Sequence, residues 1–220
     1  MKINLKHLII FYLLSLLIYS CSSTSVNNPE MEDILLNMPK INPFMIQSDS
    51  ISYANWLNRK LPNGKNIIEP INLILIDKNS TNKDSAINKL HAIMTRIGFK
   101  SRYGHTGGYL GEMDKILFEQ QPSQKDMAFS DFMWIFSNNH VRIFGPYTKS
   151  KYNYWIASVS REKGISHNYI SFSNARDTLV KYLTLHSNAI NLGPYDLKNK
   201  IDDANTSSGD HDGKAIIILY

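Results

Sequence analysis

Two apolar runs in the chain lack the alternation that is typical of a half-exposed strand. The segments Ile71 to Ile76 and Ala215 to Leu219 are nearly continuous in apolar, β-prone residues. Such runs are typical of strands that are buried on both faces of a sheet. We therefore expect both to be interior strands of one sheet, so that the end of the chain is structural and not a tail.

Helical spacing of apolar positions is clearest just after the first of these runs. Thr81 and Asp84 can form a capping box at the helix start, and Gly98 can end the helix. A second helix is predicted to begin at Ser173, which can serve as an N-cap. The apolar positions of the first helix are Ala86, Leu90, Ile93, Met94 and Ile97.

Other segments carry shorter or mixed patterns. Met31 to Asn37, Ser50 to Asn58 and Leu110 to Gln120 are predicted as helices. Phe129 to Phe136 is strongly apolar, and its pattern is compatible with either a strand or a helix.

Three strand-like runs lie close together in the stretch from Asn139 to Asp177. They are Val141 to Phe144, Tyr152 to Ser160 and Asn168 to Phe172. Their short polar connections favour antiparallel hairpins. Together with the buried strands and the helices, this meander predicts a mixed α/β (α+β) fold: one domain with a central mixed sheet and helices packed on it.

The same stretch is rich in polar side chains that are able to form a site. Side chains alternate along a strand, so His140 and Arg142 share one face, and Arg161 on the next strand is within cross-strand reach. We predict a common polar pocket for these three, with Asp126 or Asp177 nearby. The full candidate cluster is His140, Arg142, Arg161, Glu162, His167, Arg176, Asp177 and Asp126.

Two interpretations of this cluster remain open. Arginine forms bidentate pairs with phosphate or carboxylate, and histidine can act as acid or base, so the cluster can bind an anionic ligand. The favoured interpretation is an internal ion-pair network that holds the sheet to the helix bearing Arg176, because such networks are as rich in charge as sites are.

The sequence predicts neither a metal site nor a cofactor. The histidines of the domain are dispersed, without the HExxH pattern. The Asp210 to Gly213 turn lacks the ligand positions of a calcium loop, and no serine stands in a GxSxG elbow. The glycines of the segment Tyr103 to Gly108 do not form a phosphate loop, and we interpret this segment as a turn.

The N-terminus resembles a bacterial lipoprotein signal. Lys2 and Lys6 precede an apolar run from Leu8 to Tyr19, which is short for a membrane-spanning helix and ends beside Cys21. We predict that Cys21, the only cysteine, is lipidated; an uncleaved anchor and a plain signal-peptidase cut are the alternatives. The predicted organisation is a signal peptide (1–20), a tether (21–50) and a domain (51–220).

The net charge and the cysteine content limit the classes of partner and of chemistry that the domain can have. The net charge is +5, and without the two leader lysines 22 basic residues face 19 acidic ones, or +3, which is too mild to indicate nucleic-acid binding. A single cysteine excludes disulfides and a thiol nucleophile within the mature domain. The expected partners are the membrane, through the lipid anchor, and an envelope protein or an anionic ligand.

The segment Trp155 to Ile165 reads W-I-A-S-V-S-R-E-K-G-I, and the segment Asn139 to Arg142 reads N-H-V-R. They resemble the W-[IV]-G-A-A-T-R-D-x-G-[IV] motif and the H-[HV]-R element of the LssY C-terminal domain, a bacterial domain of uncharacterised function. The resemblance extends from Tyr53 to Tyr220. The other matching pieces are Ser123 to Phe129 with Q-D-L-A-F, His167 and Arg176-Asp177 with T-H-x-I…E-R-D, and Asp212-Gly213 with the D-G-x-[VI]-[VI] ending.

The resemblance implies an envelope role without assigning an activity. Glu162 stands where the family has Asp, and Ser171, Ser173 and Asn174 replace its usual acids. In the family the domain often follows membrane-embedded segments, which a lipid anchor would replace here. We expect an accessory or binding lipoprotein that is located at the outer membrane and faces the periplasm. The alternative is a hydrolase-like enzyme that acts on a phosphate-containing envelope substrate.

Overall fold

The computed structural model of this chain describes residues 29–220, apart from the side chains of residues 57–59. It divides into two units, Met1–Leu36 and Asn37–Tyr220. The predictions for the signal peptide and for Cys21 lie outside the described residues. Within those residues, none of the helices has the length and apolar content that crossing a membrane requires.

The described residues form three α-helices and fifteen strands. The helices are α1 (Pro29–Leu36), α2 (Lys83–Arg96) and α3 (Ser173–His186). The strands are β1 (Ile46–Gln47), β2 (Ser52–Tyr53), β3 (Asn55–Lys60), β4 (Asn66–Ile68), β5 (Leu73–Asp77), β6 (Lys100–Tyr103), β7 (Tyr109–Met113), β8 (Ile116–Gln121), β9 (Met127–Ser130), β10 (Asn138–Lys149), β11 (Tyr152–Lys163), β12 (Asn168–Ser171), β13 (Ile190–Asp196), β14 (Thr206–Ser207) and β15 (Lys214–Leu219).

One large mixed sheet dominates the second unit, and the predicted fold class is confirmed. Its main path runs β13-β15-β5-β11-β10-β8-β7-β1-β2, while β12, β9 and β6 branch from it. Strands β14, β4 and β3 form a separate small sheet. The predicted meander is present, because β10 pairs antiparallel with β11 and β11 pairs antiparallel with β12.

The two apolar runs lie side by side as predicted. Strand β15 pairs parallel with β5, in a register that places Ile217 opposite Ile74. All five residues of β5 are buried, and β15 has neighbours on both edges. Both strands are therefore interior strands of one sheet.

Helices α2 and α3 bury their apolar faces in a common core with the strands. Helix α2 is capped by Asn82, whose side chain accepts from the backbone of Ser85, one position later than predicted. The core includes Leu90 of α2, Leu179 of α3 and Trp155 of β11. Residues of β10 and β11 that alternate with Val141 and Val159 point away from this core, and they form the floor of the site described below.

Two helix predictions are wrong, and a third is confirmed. The segment Leu110 to Gln120 is a β-hairpin, because Asp114 and Lys115 both adopt positive φ and turn the chain between β7 and β8. The segment Ser50 to Asn58 contains β2 and the start of β3. The helix predicted at Met31 to Asn37 is present as α1.

Two other segments also differ from the sequence-based description. The strand β9 takes up only the first residues of the ambiguous apolar run Phe129 to Phe136, and residues 131–137 connect it to β10. The compact unit starts at Asn37, so residues 37–50 belong to it and are not a tether. The reason is burial: Phe44, Met45 and Ile46 are in the core.

Candidate functional site

One face of the β10–β11 pair is polar although it is buried. In the register of the pair, Asn138 lies opposite Glu162, His140 opposite Ser160 and Arg142 opposite Ser158. Directly opposite residues share a face, so this face carries a continuous polar surface behind the apolar core. Two of the predicted site residues, His140 and Arg142, therefore lie together in one polar pocket.

Loops and neighbouring strands complete the walls of this pocket. His105 and Thr106 come from the loop between β6 and β7, and Glu69 follows β4. His167 follows a short 3-10 turn and adopts a left-handed conformation with φ of 47°. The carbonyl of His167 accepts a hydrogen bond of 2.8 Å from Nε1 of Trp56 on β3. This bond holds the indole ring of Trp56 at the pocket wall.

The carboxylate of Glu162 is the centre of the cluster. Its Oε2 accepts from Nδ1 of His167 at 2.9 Å, and its Oε1 accepts from Nδ2 of Asn138 at 3.1 Å. The Oε1 atom also lies 3.6 Å from Nδ1 of His105 and 3.9 Å from Nδ1 of His140. Three imidazole rings thus surround one buried carboxylate.

Two of these imidazoles have a nitrogen without a hydrogen-bond partner. They are Nε2 of His105 and Nδ1 of His140, and both side chains are almost wholly buried. Buried polar atoms are nearly always satisfied in folded proteins, and each exception needs an explanation, such as an ion at the site. One donor atom from each of His105, His140 and Glu162 lies within 4.8 Å of the other two.

Arg142 is occupied by partners from the protein itself. Its Nη1 donates to Oε2 of Glu69 at 3.2 Å and to Nε2 of His140 at 3.0 Å. Its Nε and Nη2 donate to the carbonyl and hydroxyl oxygens of Thr106, and the guanidinium lies 4.9 Å from the centre of the Tyr109 ring. The guanidinium is therefore a structural element of the pocket wall, with little capacity left for a ligand.

Burial sets the protonation of the histidines. Burial, with a smaller effect from Arg142, lowers the pKa of His105 to about 3. The same two causes hold the pKa of His140 well below its usual value. Both rings are neutral at neutral pH, which is the form that binds metal ions.

The two carboxylates of the pocket differ in how their charge is compensated. Burial raises the pKa of Glu69, while the adjacent Arg142 opposes that rise and compensates its charge. No basic side chain forms an ion pair with Glu162 within the described residues, apart from the imidazoles. Such a charge balance favours a cation and disfavours an anion.

The cavity beside these residues is small. Its volume is about 100 Å³, and its lining includes Trp56, Gly104 and the cluster itself. Sites for small organic molecules occupy roughly 300–1,000 Å³, whereas one water in the liquid occupies roughly 30 Å³. The space suits a metal ion with a few waters better than an organic ligand.

The other predicted site residues lie elsewhere. Arg161 is on the opposite face of β11, where its Nη1 donates to Oδ1 of Asn139 at 3.2 Å. Arg176 pairs with Asp177 at 2.9 Å and with Asp212 at 2.8 Å, in a separate network. The prediction that Arg161 shares the pocket, with Asp126 or Asp177 as the nearby acid, is therefore wrong.

The reasons for these differences are local. Side chains alternate along β11, so Arg161 and Glu162 necessarily take opposite faces, and Glu162 takes the face of His140. Asp126 has a positive φ of 58° in the turn before β9 and lines a different cavity with Gly107 and Gln124. The acids that Arg142 and the histidines meet are Glu69 and Glu162.

Sequence analysis missed five residues that line the pocket: Trp56, Glu69, Gly104, His105 and Thr106. His105 lies in the glycine-rich segment that was interpreted as a turn, and Glu69 stands between two short strands without a motif. The only available signal was a histidine in that loop, and a lone histidine has no spacing from which a site can be inferred.

Comparison of the chain with known protein families, curated proteins and solved structures finds no match. The resemblance to the LssY C-terminal domain therefore stays a prediction, and the function is argued below from the pocket.

Proposed function

We propose that the protein is a membrane-anchored envelope lipoprotein whose domain binds a divalent transition-metal ion, with Zn²⁺ as the best fit, at His105, His140 and Glu162. The observation that carries the proposal is the convergence of these three buried donors around a cavity of about 100 Å³. Imidazole and carboxylate are common zinc ligands in proteins.

The distances fit a zinc site after a small contraction. Zinc bonds of about 2.0–2.2 Å place tetrahedral ligand atoms roughly 3.3–3.6 Å apart. The distances of 3.6 and 3.9 Å from Glu162 Oε1 to the two Nδ1 atoms are close to this range. A contraction of a few tenths of an ångström brings these two distances into the range, and the donor atoms of the two histidines lie within 4.8 Å of each other.

Metal binding at Nδ1 of His140 requires a change in the tautomer of its ring. Arg142 donates to Nε2 of His140, so the ring carries its proton on Nδ1. A metal at Nδ1 requires the other tautomer, with the proton on Nε2. In that tautomer the Nε2–H group can donate a hydrogen bond to the hydroxyl oxygen of Ser160, which lies 3.0 Å away. Arg142 retains its hydrogen bonds to Glu69 and Thr106. Ser160 would then orient the ligand ring, as the outer partners of metal-bound histidines do.

The electrostatics favour this proposal over the anionic ligand expected from the sequence. An anion in the pocket would lie beside two carboxylates, and the guanidinium that would bind it is already engaged by Glu69 and Thr106. A divalent cation instead compensates Glu162 and uses Nδ1 of His140, which has no hydrogen-bond partner. The proposal keeps the binding role expected from the sequence, but the ligand is a cation and not an anion.

The membrane part of the proposal is supported by the sequence alone. The apolar run from Leu8 to Tyr19 ends at the only cysteine, Cys21, as in bacterial lipoproteins. Ser22 follows it, where aspartate would favour retention in the inner membrane, so the outer membrane facing the periplasm is the proposed address.

A second candidate function, hydrolysis of a phosphate-containing envelope substrate, has one observation in its favour. Three protein ligands leave a fourth position for water, which is the arrangement of catalytic zinc sites. Zinc-dependent release of phosphate from a phosphate ester, lost in Glu162→Gln, would support it. Zinc binding without such turnover leaves the accessory binding role.

The test is zinc binding by the full chain in detergent, measured by calorimetry and by metal content after dialysis. We expect one Zn²⁺ per chain, and at least a 100-fold weaker affinity in His105→Gln and in Glu162→Gln. The matched controls are His186→Gln and Glu119→Gln, which change exposed residues outside the pocket. Equal affinity in the pocket variants and the controls would refute the site.

A further inference from the structure

The connection between β9 and β10 exposes five successive large apolar side chains. Phe132, Met133, Trp134, Ile135 and Phe136 are 50%, 47%, 36%, 39% and 49% exposed. Isolated exposed apolar residues are ordinary, but a contiguous group on a folded surface marks a contact site. None of the other described loops has so many consecutive exposed large apolar residues.

Neighbouring segments enlarge this group into one surface. Tyr103 at the end of β6 lines a groove with Met133, Trp134 and Ile135, and it is 67% exposed. The backbone of Gly164 packs against the carbonyl of Ile135, next to Ile165, which is 71% exposed. We define the apolar patch as Tyr103, Phe132, Met133, Trp134, Ile135, Phe136 and Ile165.

Polar groups hold this segment in place from behind. The carbonyl of Phe132 accepts from Oγ of Ser130 at 2.8 Å, and the carbonyl of Phe136 accepts from Nδ2 of Asn138 at 3.0 Å. The backbone N–H of Phe136 donates to the carbonyl of Met133 at 3.0 Å. These three backbone groups are thus bonded within the fold, while the apolar side chains remain partly exposed.

The charged residues around the patch are mainly basic. Lys100 and Arg102 lie on β6, opposite residues of β9 just before the patch. Arg161 lies opposite Asn139 at the start of β10, and Lys163 immediately precedes Gly164. The acid within the connection, Asp131, is engaged by both the backbone and the side chain of Asn139.

We infer that the apolar patch contacts an anionic lipid bilayer. The aromatic and aliphatic side chains can insert at the boundary between the acyl chains and the headgroups. The bordering Lys and Arg side chains can pair with the anionic headgroups. The inference rests on the proposed membrane anchoring, which keeps the patch near a bilayer, and it does not require the metal.

This contact would place the mouth of the pocket at the membrane surface. The Trp134 ring stacks on the His167 ring, with 5.8 Å between centroids and 10° between planes. It also lies against Gly104, where a Cβ atom would come within 2.1 Å of Trp134 Cδ1. Gly104 and His167 both line the cavity, so the patch forms one of its borders.

The test uses tryptophan fluorescence of the full chain in vesicles of phosphatidylethanolamine and phosphatidylglycerol with brominated acyl chains. The chain has three tryptophans, and two of them, Trp56 and Trp155, are buried. The emission lost in Trp134→Phe therefore defines the Trp134 signal. We expect bromolipids to quench this signal, and vesicles to shift it to shorter wavelength.

Two charge substitutions form a matched pair. Ile135→Asp places an acid in the patch and should abolish the quenching, whereas Leu185→Asp, at an exposed apolar position on α3, should leave it unchanged. Flotation of the vesicles in the same samples reports on the anchor separately.

Three results would overturn the contact. A chain that floats with the vesicles without quenching of Trp134 overturns it and leaves the anchor standing, while a chain that does not float overturns both. Self-association in detergent that Ile135→Asp abolishes, without quenching in vesicles, would assign the patch to a second copy of the chain.

Discussion

Removal of the Arg142 guanidinium should destabilise the protein strongly, because it leaves a buried carboxylate without its counter-charge. Arg142 and Glu69 pair at 3.2 Å, and both side chains are at most 4% exposed. Breaking one partner of such a buried pair costs about 3–5 kcal/mol. We expect Arg142→Ala to lower the free energy of unfolding by about that amount at pH 7.

The loss should depend on pH in a defined direction. Burial raises the pKa of Glu69 above its ordinary 4.5, and removal of Arg142 takes away the interaction that opposes this rise. A carboxyl group whose pKa is raised by folding destabilises the fold as pH rises, and it has no such effect once it is neutral in both states. The difference between the variant and the wild type should therefore shrink as pH falls towards 4.5.

The assay is urea unfolding followed by circular dichroism at pH 7 and at pH 5. The control is the double substitution Arg142→Met with Glu69→Gln, which removes both charges and keeps most of the volume; its loss should be smaller than that of Arg142→Ala alone. A loss below about 0.5 kcal/mol in Arg142→Ala, the level of an ordinary surface substitution, would refute the role of this pair.

Three further predictions concern the anchor, the last strand and a buried histidine. Cys21→Ser should release the cleaved protein from the membrane fraction, and a cleaved mutant that stays bound would contradict lipidation at that residue. Deletion of residues 216–220 should abolish cooperative unfolding, because it removes most of the interior strand β15; an unchanged melting temperature would argue against this role. Burial lowers the pKa of His211 to about 4 from 6.5, so stability should fall as pH drops through that window, by about 1.4 kcal/mol per pH unit more in the wild type than in His211→Gln. Urea unfolding at pH 7, 6 and 5 checks this, and parallel pH profiles of the two proteins would contradict it.

The parts of the fold that the sequence predicted are those in which burial dominates the pattern. Ile71 to Ile76 and Ala215 to Leu219 have no polar face, so only a position between other strands suits them. Leu110 to Gln120 shows the limit of the method. Its hairpin turn is made by Asp114 and Lys115 at positive φ, without the Asn-Gly signature that would have indicated it.

The site was predictable only where one strand or one hairpin positions it. The shared face of His140 and Arg142 follows from alternation, and so does the opposite placement of Arg161 and Glu162. His105 comes from a distant loop, and no local pattern relates its position to that of β10. Glu69 is similarly distant, so the acid that pairs with Arg142 was sought among the wrong residues.

Anomalous diffraction at the zinc absorption edge, from crystals of the protein grown with Zn²⁺, tests the central claim most directly. The proposal predicts the strongest anomalous peak in the cavity, at bonding distances of about 2.0–2.2 Å from His105, His140 and Glu162. The same crystals of Glu162→Gln should show a much weaker peak. Zinc bound only at exposed histidines such as His186, with no peak in the cavity, would contradict the account.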